Sequence, residues 1–228
     1  MRCDMSKHTL VELFDATIDV APESIMLSAP DSIREIYDAM VLSLKDTKIW
    51  NPLNIRRIFG AILVICSEFG GVNLYIPFIK NSKVRDRFIL SVINMVDAGK
   101  ELSGSLVIEA LKEAAPERNV TSGTNWSDDF SRLISAAHGF LISQKPACSN
   151  TEVKEILKLI FEVLLNTCSG RVFYISSCKG LISAMRKQAI WKEFNGSNVR
   201  ELSARYGLSI PTVYGLLKDC RNERRTMV

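Results

Sequence analysis

The sequence predicts a mainly α-helical fold with two short β-strands, at about 72–77 and 171–176, and a C-terminal helix-turn-helix. Three observations predict it. Apolar residues recur at helical spacing over most of the chain. Two short runs, VNLYIP and RVFYIS, instead combine alternation with β-branched and aromatic residues, each directly after a small-residue stop. The segment Met185–Lys218 reads as three short helices, the last two joined by a tight turn.

Taken in order, the first helix is expected from Lys7 to Val20, ending before Ala21-Pro22. The second covers 31–46, capped by Asp31 or Ser32, with Ile33, Ile36, Tyr37, Met40, Leu42 and Leu44 as its apolar stripe. Asn51-Pro52 opens the third, PLNIRRIFGAILVICSEF, which is apolar nearly all round from Ile58 to Cys66 and so calls for deep burial or a partner helix. Gly70-Gly71 stops it ahead of the first strand. Further helices follow over 82–96, from Ser103 or Ser105 to Pro116, and over Asp128–Ser143. Polar residues 116–127 are the linker expected between them. Thr151 caps the helix TEVKEILKLIFEVLLNTC, which Ser169-Gly170 ends ahead of the second strand. The domains expected are 1–115, 128–180 and 181–228, on either side of that linker.

The chain has 228 residues and a formal charge of +4, unevenly placed. Residues 1–150 hold 16 Lys and Arg against 18 Asp and Glu, giving −2; residues 151–228 hold 13 against 7, giving +6. A basic C-terminal third suits contact with phosphates. No apolar run reaches the ~18 residues a membrane helix needs, and the acidic N-terminus lacks the order of a signal peptide. The expected location is cytoplasmic, with the nucleoid. Six scattered cysteines include no C-x-x-C pair, so reduced, buried thiols are expected rather than metal ligands. His8 and His138 stand alone in helices, and no G-x-S-x-G, H-E-x-x-H or phosphate-loop pattern occurs. The reading is of a non-enzyme with no cofactor or metal.

An order of elements repeats: helix, small-residue stop, short strand, Arg-bearing helix. Gly71 and Gly170 are 99 residues apart, as are Tyr75 and Tyr174. After a two-residue gap, Arg85 lies over Arg186, Ile89 over Ile190 and Asn94 over Asn195. The correspondence then degrades, and the first copy lacks the RYGLS turn. This is an internal duplication whose second copy alone keeps a complete helix-turn-helix.

In that motif Gly207 is the turn glycine, Ser203 the small residue at the helix crossing, and Val213 and Leu216 the buried face of the second helix. Ser209 caps that helix, with Pro211 in its first turn. Asn195-Gly196 turns the chain between the first two helices, Trp191 and Phe194 belong to the core, and Asn198 with Glu201 forms a capping box. The outward face offers Ser209, Ile210, Pro211, Thr212, Tyr214 and Lys218 as candidate base contacts. It holds no Arg, Asn or Gln, so specificity leans on DNA shape. Arg171, Arg200, Arg205, Arg221, Arg224 and Arg225 are candidate phosphate contacts.

Arg186, Ile190, Trp191, Phe194, Asn195, Gly196, Asn198, Glu201, Leu202, Tyr206, Gly207, Leu208, Ser209, Val213 and Tyr214 also carry a more specific pattern. Over this last third the chain resembles the Mor/C transcription activators of bacteriophage Mu and its relatives, and GGVNLYIP resembles the strand of the same family. The resemblance implies a sequence-specific activator from a phage or mobile element. It would be a homodimer with an intertwined core of helices and a short strand, from which each subunit hangs a helix-turn-helix. Such a dimer binds a dyad-symmetric element in double-stranded DNA and recruits RNA polymerase, with no role for a membrane. The chain departs from the pattern: it is nearly twice the usual length, and its second copy has Ser169-Gly170 and YIS for the double glycine and tyrosine-isoleucine-proline. A strand from each copy is therefore expected to pair within one chain as a pseudo-dimer core, leaving one head per chain. Two heads then need a homodimer or a second regulator. From a different class, the large helical part is the partner-binding subunit of a complex and the basic C-terminus only a tether to DNA.

Overall fold

The computed structural model describes residues 7–116 and 125–226, apart from the side chains of Lys7, His8, Thr9, Val11, Arg224 and Thr226. Along the described chain run α1 (Lys7–Ala16), α2 (Pro22–Met26), α3 (Asp31–Lys45), α4 (Pro52–Phe69), β1 (Val72–Tyr75), α5 (Ser82–Asp97), α6 (Gly104–Ala114), α7 (Trp126–Ile142), α8 (Asn150–Thr167), β2 (Val172–Ile175), α9 (Lys179–Glu193), α10 (Val199–Tyr206) and α11 (Ile210–Thr226). The fold is mainly α-helical, as expected. Residues 117–124 of the expected linker lie outside the described residues, as do Cys3 and the His8 side chain.

Helix ends follow local chemistry, and several caps differ from expectation. The first helix stops at Ala16 rather than Val20, because the buried Thr17 hydroxyl turns back to donate to the Leu13 and Phe14 carbonyls, at 2.9 and 3.2 Å. Pro22 then starts the separate short α2. α3 has Pro30 before it and no side-chain cap; Asp31 instead lies inside the first turn, where its carboxylate suits the helix dipole. Asn51 caps α4 by accepting from the Asn54 N–H at 2.8 Å. For α8 the cap is Ser149, not Thr151, since only Ser149 has a glutamate three residues on; Ser149 and Glu152 form a capping box.

The chain divides into two compact units. Unit 1 contains Pro30–Ser177. Its helices cross between the two repeats: α3 of the first packs on α8 of the second, and α7 of the second packs on α4 of the first. Ile58, Phe59, Ala61, Ile62, Leu63, Ile65 and Cys66 of α4 are all buried, so the apolar surface of this helix is used inside the unit. Phe130 of α7 stacks on Phe88 of α5 with ring centres 5.9 Å apart and meets Phe161 of α8 edge-on at 5.0 Å. Arg57 of α4, its side chain only 3 % exposed, binds the Glu152 carboxylate of α8 at 3.0 Å. The same guanidinium donates to the Asn54 side chain and the Pro146 carbonyl.

The two strands pair with each other, antiparallel, in the register Val72↔Ile175, Asn73↔Tyr174, Leu74↔Phe173 and Tyr75↔Val172. Strand pairing within one chain was the sequence expectation. Leu74, Ile76 and Ile175 face the core; Asn73, Tyr75, Val172 and Tyr174 form the exposed face.

Unit 2 comprises the described residues of Asp4–Ala29 and Cys178–Val228. α9, α10 and α11 pack together around Ile190, Val199, Leu202, Val213 and Leu217, with Trp191, Phe194, Tyr206, Leu208 and Leu216 partly buried against them. α1 and α2 lie against α9. The Lys192 ammonium meets the Asp19 carboxylate at 2.5 Å.

Candidate nucleic-acid interface

Gly207 closes α10 with φ 61° and ψ 35°, a left-handed conformation that favours glycine. Ser203 links the two sides of this turn, its hydroxyl donating to the Leu208 carbonyl at 2.5 Å. α11 then leaves at an angle fixed by its buried side. That side is Val213, Leu217 and Cys220, with Leu216 only partly buried at its edge. The sequence placed Leu216 on the buried face and overlooked Leu217. Four-residue spacing from Val213, not three, follows the line of contact here.

Ser209 accepts from the Thr212 N–H at 3.3 Å and so caps α11 as expected, and its hydroxyl shares a hydrogen bond with that of Thr212 at 2.7 Å. Both hydroxyls are thereby engaged before any ligand arrives. Ile210, Pro211, Tyr214 and Lys218 are exposed, Tyr214 by 59 %. At ~100° per residue, Ile210, Tyr214, Lys218, Arg221 and Arg225 fall within about 80° of one another around the helix. All five are exposed. α11 therefore carries an apolar and aromatic end continuous with a cationic stripe, beside the face that anchors it.

The other candidate cations divide. Arg200 is exposed on α10. Arg205 is exposed too, but its guanidinium binds the Glu193 carboxylate at 2.7 Å, and the same carboxylate accepts from the Tyr206 hydroxyl at 2.8 Å. Burial, with that neighbouring carboxylate, holds the Tyr206 phenol well above its ordinary pKa. Arg205 thus ties α10 to α9. Arg171 belongs to unit 1, beside β2, and donates to the Thr167 carbonyl at 2.8 Å. The Arg224 side chain lies outside the described residues.

The expected capping box at Asn198 does not form. The Asn198 carboxamide instead accepts from the Asn195 N–H at 3.1 Å and donates to the Glu193 carbonyl at 3.0 Å. The turn before α10 uses the side chain that the cap would need, and Glu201 stays exposed. Asn195 and Gly196 do form that turn, with Gly196 at φ 99° and the Asn195 side chain accepting from the Ser197 and Asn198 N–H groups.

Two features escaped the sequence reading. The exposed face of the β-ribbon sets Tyr75 and Tyr174, 38 % and 52 % exposed, diagonally across the two strands. Their 99-residue spacing was legible, but their exposure was not. In unit 2, α1 and α9 with α10 also enclose a cleft of about 520 Å³ whose walls bring Glu12 and Asp15 near Arg186 and Arg205. Elsewhere, Cys66, Cys168, Cys178 and Cys220 are buried and Cys148 half-buried, none of them in a disulfide, and burial pushes Cys168 up to about 11. Burial lowers the pKa of His138, with Asp97 opposing. Among the described residues no group of His, Cys, Asp and Glu is arranged to hold a metal ion, and no helix is long and apolar enough to cross a membrane.

A sequence model of the Mor transcription activator family matches residues 125–227, which begin just before α7 and span the second repeat. The chain is 37% identical over 65 residues to the Middle operon regulator of Escherichia phage Mu, covering 28% of this chain and 50% of that protein. It is 38% identical over 56 residues to the Mu-like prophage FluMu protein C of Haemophilus influenzae, covering 25% of this chain and 78% of that protein. The matched region thus spans half the length of the first relative. No solved structure matches.

Proposed function

The chain belongs to the Mor transcription activator family, and from that membership we propose that it binds double-stranded DNA in a sequence-dependent way and activates transcription by recruiting RNA polymerase. α10, the Gly207 turn and α11 act as the helix-turn-helix, with α11 in the major groove. Tyr214 and Thr212 reach base edges, and Ile210 and Pro211 meet thymine methyl groups. Lys218, Arg221 and Arg225 on α11, with Arg200 on α10, take phosphates; Arg224 shares that role by its place in the same basic run. Ser209 serves the cap, and Arg205 serves the α9–α10 contact first. Arg171 and the exposed tyrosines of the ribbon offer a second surface to the DNA backbone. The expected residence is with the nucleoid.

The observation that carries this reading is the exposed stripe from Ile210 through Tyr214 to Arg225, held outward by Val213 and Leu217. The alternative of a partner-binding subunit drew on the apolar α4, and that surface is covered inside unit 1.

A gel-shift titration tests the proposal, using the promoter upstream of the chain's own operon and a scrambled duplex of equal length. Tyr214→Ala is expected to weaken binding to the promoter by ~10-fold or more, about 1–3 kcal/mol, with little change on the scrambled duplex. Equal loss on both duplexes contradicts base contact by Tyr214. No preference of the unsubstituted chain at moderate salt contradicts the proposal itself.

A further inference from the structure

The two repeats close into a twofold core inside one chain. Their correspondence across the strands is 99 residues, so Leu74 and Phe173 are equivalent and they pair with each other at the centre of the ribbon. On either side, Asn73↔Tyr174 and Tyr75↔Val172 are the same pair seen from opposite ends. The flanking backbone repeats this. The Gly71 N–H donates to the Ile175 carbonyl at 2.7 Å, and the Gly170 N–H donates to the Ile76 carbonyl at 2.8 Å. Gly71 and Gly170 are equivalent, as are Ile76 and Ile175, and the two glycines have φ 88° and 77°. The helices obey the same exchange, α3 on α8 and α7 on α4.

Beyond the strands the symmetry ends. After α9 the second repeat carries α10 and α11, with their exposed cationic stripe. After α5 the first repeat carries α6, which packs on α5 and α7. Val107, Ala110 and Leu111 of α6 are wholly buried. Its first residue, Gly104, sits so close to α7 that a Cβ there would lie 2.1 Å from an Asp128 carboxylate oxygen and 2.8 Å from the Ser127 hydroxyl oxygen. The exposed charges of α6 are Glu109, Lys112 and Glu113, a net acidic set unsuited to phosphates. The counterpart of the reading head has become a layer of the core.

We infer that the chain is a single-headed pseudo-dimer that recognises one half-site of DNA rather than an inverted repeat. This rests on the proposed DNA-binding role. The strand and helices of each repeat find their partners in the other repeat of the same chain, and among the described residues only one of the two arms offers an exposed basic helix to a groove. Binding therefore needs no twofold symmetry in the DNA.

Selection from a pool of random-sequence duplexes with the intact chain tests this, followed by titration on the selected motif and native mass measurement of the complex. The expected result is one non-palindromic motif with one chain per duplex. Doubling that motif as an inverted repeat should raise the apparent affinity by no more than a statistical factor of about two, against the ~10²–10⁴-fold gain of two linked heads. Recovery of an inverted repeat, with centres about 10 base pairs apart and two chains bound cooperatively, overturns the inference while leaving DNA recognition intact. Recovery of no motif overturns both.

Discussion

The two repeats share a frame and differ in what leaves it. In both, a helix of 18 residues ends in small residues, a positive-φ glycine turns the chain, and a four-residue strand crosses to its counterpart. In the first repeat, α5 and α6 are absorbed into unit 1; in the second, α9, α10 and α11 join α1 and α2 in unit 2. The frame is held by buried pairing that each copy supplies to the other. The arms carry no such mutual constraint, so one has become core and the other keeps an exposed basic helix. The two repeats of one chain thus separate a mutually paired core from an exposed basic helix.

The ion pair of the buried Arg57 with Glu152 joins α4 of the first repeat to α8 of the second. Glu152→Ala leaves a guanidinium that is 3 % exposed without its carboxylate. The expected cost is about 3 kcal/mol, read as a lower midpoint for unit 1 in denaturant unfolding. The pair also makes a pH prediction. Hydrogen bonds from Ser149, first from its backbone, then those from its hydroxyl and from Asn54, and the Arg57 charge, hold the Glu152 carboxyl below its ordinary value of 4.5, against desolvation. Its stabilisation is complete above that ordinary value and is lost as pH falls through the lowered one. Glu152→Gln should therefore flatten the acid side of the stability profile, and an unchanged acid side refutes the role given to this carboxylate.

A smaller effect measures how far the ribbon's symmetry extends. Gly71→Ala and Gly170→Ala each force a Cβ into positive φ, at about 1–2 kcal/mol. Gly71 has open space around it, whereas a Cβ at Gly170 would meet the Phe78 side chain at 3.0 Å. Gly170→Ala should therefore destabilise the chain more than Gly71→Ala in thermal unfolding. Equal losses, or the reverse order, would contradict the steric role given to Phe78.

Much of this frame was legible because the sequence states it twice. Gly70-Gly71 and Ser169-Gly170 mark the same stop, and Tyr75 and Tyr174 the same strand position. Helix existence was also legible, α4 to the residue, since Asn51-Pro52 and Gly70 bound a stretch that is apolar nearly all round from Ile58 to Cys66. Caps were less so. Thr151 and Asn198 have the right chemistry, but Ser149 has the better-spaced glutamate and Asn198 is used by the turn before it. The association of α1 and α2 with α9 depends on contacts between residues more than 150 apart, such as Asp19 with Lys192, which no local pattern encodes. At the candidate interface the exposed face of α11 could be read from periodicity. That Arg205 is committed to Glu193, and that the Ser209 and Thr212 hydroxyls satisfy each other, could not.

Methylation-protection footprinting on a selected duplex tests most directly the claim that one α11 per chain reads DNA. A single protected patch in the major groove is expected, lost on Tyr214→Ala while unit 1 stays folded. Two equal protected patches one helical turn apart, or protection that survives Tyr214→Ala unchanged, would contradict it.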